Sequence, residues 1–365
     1  MKVPFLDLRV TDPAQRQELL QALEAVMDHG RIILGPEVKR LESKIANRIG
    51  SKFTSGVNSG TDALILALRA LEIGHGDEVI TTPLSFIATA NAITVNGAKP
   101  VFADILDDLT LDPNSIEPLI NEKTKAIIPV HWAGKACQMD SIISVAKKHS
   151  LKVIEDCSQA FGSLTTNNRH VGSMGDIGCF SMNSMKSLAS LGEAGMIATN
   201  NKEVWEKIDT LRYHGLINRE VCNFVSHNGR LDTVQAAFIE KRLDRYESLL
   251  ARRRDTAQFY HDELSGLVHT PKENPQCRDV FYTYTIQTDK RDELQLYMAE
   301  QGIESKVQHI PLMPDQPVYK GITRNNSNNA RKLVQKVLCI PANEKVSNEQ
   351  REYVAKIIKK FFKQS

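Results

Sequence analysis

Short segments rich in valine and isoleucine alternate with helical segments from about residue 52 to residue 200, and this alternation limits the possible folds most strongly. It predicts strands at 78–82, 100–103, 126–130, 151–155, 177–181 and 195–199, with helices at 62–71, 87–95 and 140–149. Valine and isoleucine occupy both alternating faces of the strands, as in strands that are covered on both sides. We therefore predict an α/β fold with a mainly parallel central sheet flanked by helices.

The segments on either side of this alternation predict a second domain. Residues 15–49 have a helical pattern that is interrupted near Gly30 and Pro36, and residues 231–264 have a long helical pattern rich in arginine and glutamate. Beyond about residue 266, an extended segment at 281–286 and two helical segments indicate an α+β unit. We predict a large domain over residues 1–245 and a smaller α+β C-terminal domain over residues 246–365.

The composition argues against several classes of protein. The 365 residues include 46 lysines and arginines and 44 aspartates and glutamates, a net charge of +2, which argues against a dedicated nucleic-acid-binding protein. The sequence contains no apolar run of about 18 residues, so we expect no membrane span, and the N-terminus lacks the apolar segment that directs secretion. The six cysteines include no C-x-x-C pair, so we expect reduced thiols, no metal site and a cytoplasmic location.

Three groups of residues lie after predicted strands or before predicted helices, where open α/β sheets bind ligands. Ser59, Gly60 and Thr61 precede a helix and would let backbone amides hold an anion, although a plain helix cap is the favoured interpretation of these residues alone. Asp156 ends a strand, where it would either keep a ring nitrogen protonated or cap a loop. Lys186 lies in a stretch without other charges, as a Schiff-base lysine requires, but most lysines are simply exposed.

The three groups together indicate a cofactor that none of them indicates alone. Pyridoxal 5'-phosphate needs a site for its phosphate, a carboxylate for its ring nitrogen and a lysine for its aldehyde. A fourth group at residues 227–232, just before the long helical pattern, is interpreted on local grounds as a turn.

At this point the motifs resemble those of the DegT/StrS sugar aminotransferases, a branch of the fold-type-I pyridoxal phosphate enzymes. The resemblance runs nearly end to end and covers the segments 4–8, 30–36, 59–64, 129–131, 155–160 and 180–186. It implies a fold-type-I aminotransferase and a homodimer with shared active sites. It also implies that an amino group passes from glutamate to a keto sugar, expected to be a nucleotide-linked keto-deoxysugar, in amino-sugar or surface-polysaccharide biosynthesis.

The resemblance also implies roles for individual residues. Lys186 corresponds to the catalytic lysine that holds the cofactor and moves the proton. The other cofactor-binding positions are Gly60, Thr61 and Ser181 at the phosphate, Asp156 at the ring nitrogen, Gln159 at the ring hydroxyl, Phe86 stacked on the ring and Asn228 reaching the phosphate of the neighbouring subunit. A core position in the following helix is the alternative for Phe86.

Two departures from the family pattern concern the substrate. The residue three positions before the lysine, a histidine in many members, is Asn183 here. We expect Asn183 to bind the substrate, in a region that differs between members acting at different sugar carbons. The segment 192–195 is closer to the pattern of enzymes that aminate carbon 4 than to that of carbon-3 enzymes. His309 is predicted to contact the sugar or the nucleotide, with an ordinary loop histidine as the alternative.

Three other functions compete with this prediction. Related sugar dehydratases replace the lysine with histidine, and Lys186 argues against that class. A glutamine-dependent aminotransferase acting on a keto-cyclitol, and a non-catalytic regulator or sensor with the same fold, remain alternatives.

Overall fold

The computed structural model describes residues 1–364, and its helices and strands follow the predicted alternation closely. The helices are α1 (Pro13–His29), α2 (Pro36–Ile49), α3 (Gly60–Ala70), α4 (Ala88–Val95), α5 (Met139–Lys148), α6 (Lys202–Leu211), α7 (Thr233–Asp244), α8 (Tyr246–Leu264), α9 (Arg291–Glu300), α10 (Asn328–Leu333) and α11 (Asn348–Gln364). The strands are β1 (Phe53–Val57), β2 (Glu78–Thr81), β3 (Lys99–Phe102), β4 (Thr124–Ile128), β5 (Lys152–Asp156), β6 (Ile177–Ser181), β7 (Gly195–Thr199), β8 (Leu216–Ile217), β9 (Val221–Cys222), β10 (Tyr284–Gln287) and β11 (Val337–Ile340). Within residues 1–364, no helix is both long enough and apolar enough to cross a bilayer.

A seven-stranded sheet forms the centre of the molecule, in the order β1-β7-β6-β5-β4-β2-β3. Every strand runs parallel except β7, which is antiparallel to both of its neighbours, β1 and β6. The prediction of a mainly parallel sheet flanked by helices is confirmed. Since β5 and β6 are parallel, their last residues, Asp156 and Ser181, lie at the same edge of the sheet.

A smaller lobe is built on the antiparallel pair β10–β11 and on the helices α8, α9 and α11. Its core is apolar and includes Tyr260, Tyr284, Leu338 and Ile358. Val3 from the N-terminus is buried in the same cluster, and its N–H donates to the carbonyl of Gly302 (2.9 Å). The division into domains at residues 245 and 246 stays a prediction.

Two local predictions were wrong. The helical pattern over 231–264 is broken at Arg245, because α7 packs on α1 and α2 whereas α8 packs on α11 of the small lobe. The strand predicted from residue 281 begins only at Tyr284, because Phe281 has a left-handed backbone (φ 46°) that cannot continue a strand. In both places the packing between lobes overrides the local pattern.

Candidate active site

The first turn of α3 forms a narrow cradle against the end of β6. Ser59 caps the helix, its hydroxyl accepting the N–H of Asp62 (3.0 Å) and its carbonyl accepting that of Ala63. The N–H groups of Gly60 and Thr61 have no partner within a helix that begins at Gly60, so they are the ones available to an anion. A Cβ on Gly60 would lie only 2.5 Å from the Cβ of Ser181, so the backbone must approach Ser181 without a side chain.

Asp156 is buried at the C-terminal end of β5 and is held by two donors. The hydroxyl of Thr89 on α4 donates to Oδ2 (2.9 Å), and the N–H of Ser158 donates to Oδ1 (3.1 Å). The Thr89 hydroxyl also lies 3.0 Å from that of Ser85, so a short chain of hydroxyl groups ends on the carboxylate. These two hydrogen bonds fix the orientation of the carboxylate at the end of β5.

Next to Asp156, the fully buried pair of Glu155 and His131 connects the end of β5 to the segment that follows β4. Glu155 accepts hydrogen bonds from the Nε2 of His131 (3.1 Å) and from the amides of Gly172, Met174 and Gly175. Burial alone would raise the pKa of Glu155, but the His131 contact and these amides hold it below its ordinary value. The N–H of His131 donates to the carbonyl of Asp156 (3.0 Å), so the pair also supports the catalytic edge.

Lys186 lies on a tight turn after β6 and is half-buried. Its N–H donates to the carbonyl of Asn183 (2.8 Å). The Asn183 side chain donates to Glu193 (2.6 Å) and accepts the N–H of Met185 (2.9 Å), so both of its groups are engaged in shaping this turn. The Lys186 ammonium lies 4.6 Å from the centre of the Tyr282 ring, which comes from the small lobe.

Phe86 and His309 form an aromatic wall that also includes Trp132. Phe86 lies just before α4 and is 59% exposed, so the alternative that it belongs to the core is wrong. The His309 ring lies 6.4 Å from that of Phe86 and 6.3 Å from that of Trp132, measured between ring centres. Burial, with the nearby Lys186 ammonium, lowers the pKa of His309 to about 4, so the imidazole is neutral near pH 7.

Gln159 and Asn228 occupy different surroundings. Gln159 is buried, and its Oε1 accepts the N–H of Ala133 (2.8 Å), a residue with a left-handed backbone. Asn228 is exposed; its carbonyl accepts from the side chain of Asn58 (3.4 Å), and its Oδ1 accepts from Arg230. The segment around Asn228 is more than a turn, since Arg230 pairs with Val57 at the end of β1.

The arrangement fits the three groups by which pyridoxal phosphate is held, namely its phosphate, its ring nitrogen and its aldehyde. The cradle at Gly60 suits a phosphate, Asp156 suits the ring nitrogen, and Lys186 follows the neighbouring strand of the same edge. Two buried ring nitrogens at the wall, Nε2 of His309 and Nε1 of Trp132, have no hydrogen-bond partner within residues 1–364. Buried polar atoms are normally paired, so these two are suited to a ligand.

The comparison with known proteins supports the same assignment. Residues 13–359 match the model of the DegT/DnrJ/EryC1/StrS aminotransferase family. The chain belongs to this family. Its members depend on pyridoxal phosphate, and the protein is an aminotransferase of that kind, as the resemblance in its motifs implied.

Several relatives of this aminotransferase match over almost their whole length. A pleiotropic regulatory protein of Geobacillus stearothermophilus is 39% identical and covers 100% of this chain and 99% of its own. A UDP-N-acetyl-3-dehydro-alpha-D-glucosamine 3-aminotransferase of Acidithiobacillus ferrooxidans is 37% identical and covers 98% and 97%. Among solved structures, NtdA from Bacillus subtilis with bound cofactor PMP superposes with a TM-score of 0.91, and its sequence is 29% identical. The match covers 100% of this chain and 86% of that one.

Three residues of the site were not predicted from the sequence. Thr89, Trp132 and Tyr282 contact Asp156, His309 and Lys186 respectively. Thr89 is a buried hydroxyl residue in the first turn of α4, a position whose sequence pattern does not distinguish it from an ordinary helix residue. Trp132 and Tyr282 gave no signal either, because their partners lie far away in the sequence.

Proposed function

We propose that this aminotransferase moves an amino group from glutamate to a nucleotide-linked keto sugar. The observation that supports it most is the combination of Lys186, Asp156 and the Gly60 cradle at one edge of the sheet, in a chain whose relatives include a UDP-sugar 3-aminotransferase. When bound, pyridoxal phosphate supplies an aldehyde for the amine and a ring that accepts an electron pair.

The residues of the chain then have distinct tasks. Asp156 holds the proton on the ring nitrogen, and the Thr89 hydroxyl keeps its carboxylate oriented. The Nζ of Lys186 takes the proton from the α-carbon of the amino donor and later returns a proton to the sugar carbon that receives the nitrogen. His309, neutral near pH 7, offers an uncharged imidazole to a sugar hydroxyl or nucleotide group rather than a second cation beside Lys186.

The proposal covers two classes of substrate, which differ in the ring carbon that receives the amino group. The segment Gly192–Gly195 favours carbon 4, and its Glu193 accepts a hydrogen bond from Asn183 in the turn that carries Lys186. The name of the Acidithiobacillus relative supports carbon 3. We therefore include both 3-keto and 4-keto sugar nucleotides in the proposal.

The decisive experiment uses purified protein loaded with pyridoxal phosphate. We expect a yellow protein in which borohydride fixes the cofactor on Lys186. Glutamate alone should yield at most one equivalent of keto acid per active site, and further keto acid should form only when a keto-sugar nucleotide is present. The position of the new amine, read by NMR, identifies the ring carbon. A Lys186→Ala protein that still aminated keto sugars would refute the assignment.

The same assay separates the competing functions. Turnover with glutamine and a keto-cyclitol, without turnover of sugar nucleotides, would establish the cyclitol enzyme. The regulatory name of the Geobacillus relative gives the non-catalytic alternative a specific basis. A wild-type protein that binds the cofactor on Lys186 but transfers no amine from any donor would support that alternative.

The active site is further proposed to be completed in a homodimer by Asn228 of the neighbouring subunit. The hairpin β8–β9 and the segment that joins it to Asn228 expose apolar side chains, as a surface that packs against another protein does: Ile217, Val221, Phe224 and Val225. Mixing inactive Lys186→Ala with impaired Asn228→Ala protein tests this. Activity should return, because mixed dimers regain one intact site; no recovery in verified mixed dimers would show that Asn228 acts within its own subunit.

A further inference from the structure

A carboxylate from the small lobe is buried between two arginines directly behind the turn that carries Lys186. Glu344 follows β11, and its side chain is 8% exposed. Its Oε1 lies 2.5 Å from the Nη2 of Arg242 on α7, and its Oε2 lies 2.6 Å from the Nη2 of Arg253 on α8. Burial alone would raise the pKa of Glu344, but the two guanidinium groups hold it at about 2.

The first arginine connects Glu344 to the backbone beside the catalytic lysine. The Nε of Arg242 donates to the carbonyl of Ser187 (2.9 Å), the residue that follows Lys186. The Ser187 hydroxyl lies 3.0 Å from the hydroxyl of the buried Tyr246. The guanidinium therefore bridges a charge in the small lobe and a carbonyl one residue from the reacting amine.

The second arginine connects Glu344 to the ring that contacts the lysine. The Nη1 of Arg253 donates to the carbonyls of Phe281 (3.4 Å) and Tyr282 (3.3 Å). Phe281 has a φ of 46°, which is unfavourable for an aromatic residue and requires support from its surroundings. The Tyr282 ring that this backbone presents is the one 4.6 Å from the Lys186 ammonium.

The residues on either side of Glu344 attach the N-terminal segment to the same place. Asn343 donates to the carbonyl of Phe5 (3.0 Å), and Lys345 donates to the carbonyl of Asp7 (2.8 Å). Asp7, Lys186 and Glu344 all line one cleft of about 700 Å³. Through its two arginines, Glu344 thus connects the small lobe to the Ser187 carbonyl next to Lys186 and to the backbone that presents the Tyr282 ring.

We propose that Glu344 is a positioning residue of this aminotransferase, which holds the Lys186 turn through Arg242 and the Tyr282 backbone through Arg253. The kinetic part of the proposal rests on the proposed function. Each arginine donates to the backbone through one nitrogen and faces Glu344 through another, Arg242 in a hydrogen-bonded ion pair and Arg253 in an ion pair. Loss of the Glu344 charge therefore weakens both connections together. Small displacements of a reacting group lower the rate far more than they weaken substrate binding.

The test compares Glu344→Gln with Glu117→Gln, an exposed glutamate that pairs with Lys148 and His149. We expect Glu344→Gln to lower kcat about 10- to 100-fold with little change in KM, as a displacement of about 1 Å at a reacting group does. In the protein without cofactor, amide hydrogen exchange should accelerate in the peptides 184–191 and 280–284. Glu117→Gln should match the wild type in every measurement.

Single-arginine variants separate the two connections and replace Glu344→Gln if that protein does not fold. Arg242→Lys should accelerate exchange only in residues 184–191, and Arg253→Lys only in residues 280–284. Unchanged exchange in both peptides, or a kcat that falls only in proportion to the unfolded fraction, would overturn the proposal. If the wild type transfers no amine while these exchange effects appear, the proposed function is wrong and the positioning role stands.

Discussion

A methyl group added at Gly60 is the smallest change that should damage cofactor binding while leaving the fold intact. In Gly60→Ala, the new Cβ would lie 2.5 Å from the Cβ and 2.9 Å from the Cα of Ser181. Because carbon atoms in contact are normally about 3.5–4.0 Å apart, the start of α3 must move about 1 Å from β6. Ser181 has little freedom to yield, since it is paired with Gly195, whose own position is in close contact with Ser59.

The expected magnitudes differ for stability and for cofactor affinity. Overpacking costs about 1–3 kcal/mol, while alanine regains up to about 1 kcal/mol over glycine within a helix. The free energy of unfolding of the protein without cofactor should therefore fall by about 2 kcal/mol or less. The shift also moves the Gly60 amide away from the phosphate, and one hydrogen bond to a charged group contributes about 1.5–3 kcal/mol, which corresponds to about a 10- to 150-fold rise in Kd.

Tryptophan fluorescence provides the assay for pyridoxal phosphate binding, because one of the two tryptophans, Trp132, lies in the wall beside the site. The control is Gly74→Ala, whose Cβ would meet only the carbonyl of Asn96 (3.1 Å), outside the cradle. Gly74→Ala should bind the cofactor like the wild type. Equal Kd values for the two folded variants would refute the inference that the amides at the start of α3 hold the phosphate.

Three further predictions concern the groups around the site. Thr89→Val removes the hydroxyl that donates to Asp156, so kcat/KM should fall about 10-fold or more. The control is Thr94→Val on the same helix, whose hydroxyl contacts Ala90 and Tyr319 and whose loss should leave kcat/KM unchanged. Glu155→Gln breaks the buried pair with His131 and should lower the free energy of unfolding by about 3–5 kcal/mol, measured by urea denaturation near pH 7. Because the pKa of Glu155 is lowered in the folded state, the wild type itself loses this stabilisation as the pH falls below 4.5, so the difference between the two proteins should shrink there. In His309→Asn, the asparagine can adopt the left-handed backbone of this position, and the substitution removes a group whose pKa is about 4 in the folded protein against 6.5 ordinarily. The wild type should lose stability as the pH falls from 6.5 to 4, because only its unfolded state gains this proton in that range, and the variant should lose less. Identical pH profiles of the two proteins would contradict the assignment.

The sequence predicted the large sheet and the cofactor chemistry because both depend on local patterns. Buried parallel strands need valine and isoleucine on both faces, and the strands β2, β4, β5, β6 and β7 were predicted within two residues of their ends. Gly60 begins a helix, Asp156 ends a strand and Lys186 follows a strand, so their order along the chain already indicated pyridoxal phosphate. The parallel direction of β5 and β6 brings Asp156 and Ser181 to one edge, and the close approach of Gly60 to Ser181 places the start of α3 there too.

The tertiary structure decided what sits beyond those strand ends. Local sequence did not show that Phe86 is exposed in the wall with His309, or that Thr89 bonds Asp156. The break at Arg245 and the backbone of Phe281 likewise follow from how the small lobe packs on the large one. Hydrophobic periodicity reports which face of an element is buried, whereas a contact such as Tyr282 on Lys186 joins segments about a hundred residues apart, and only the packing of the two lobes brings such segments together.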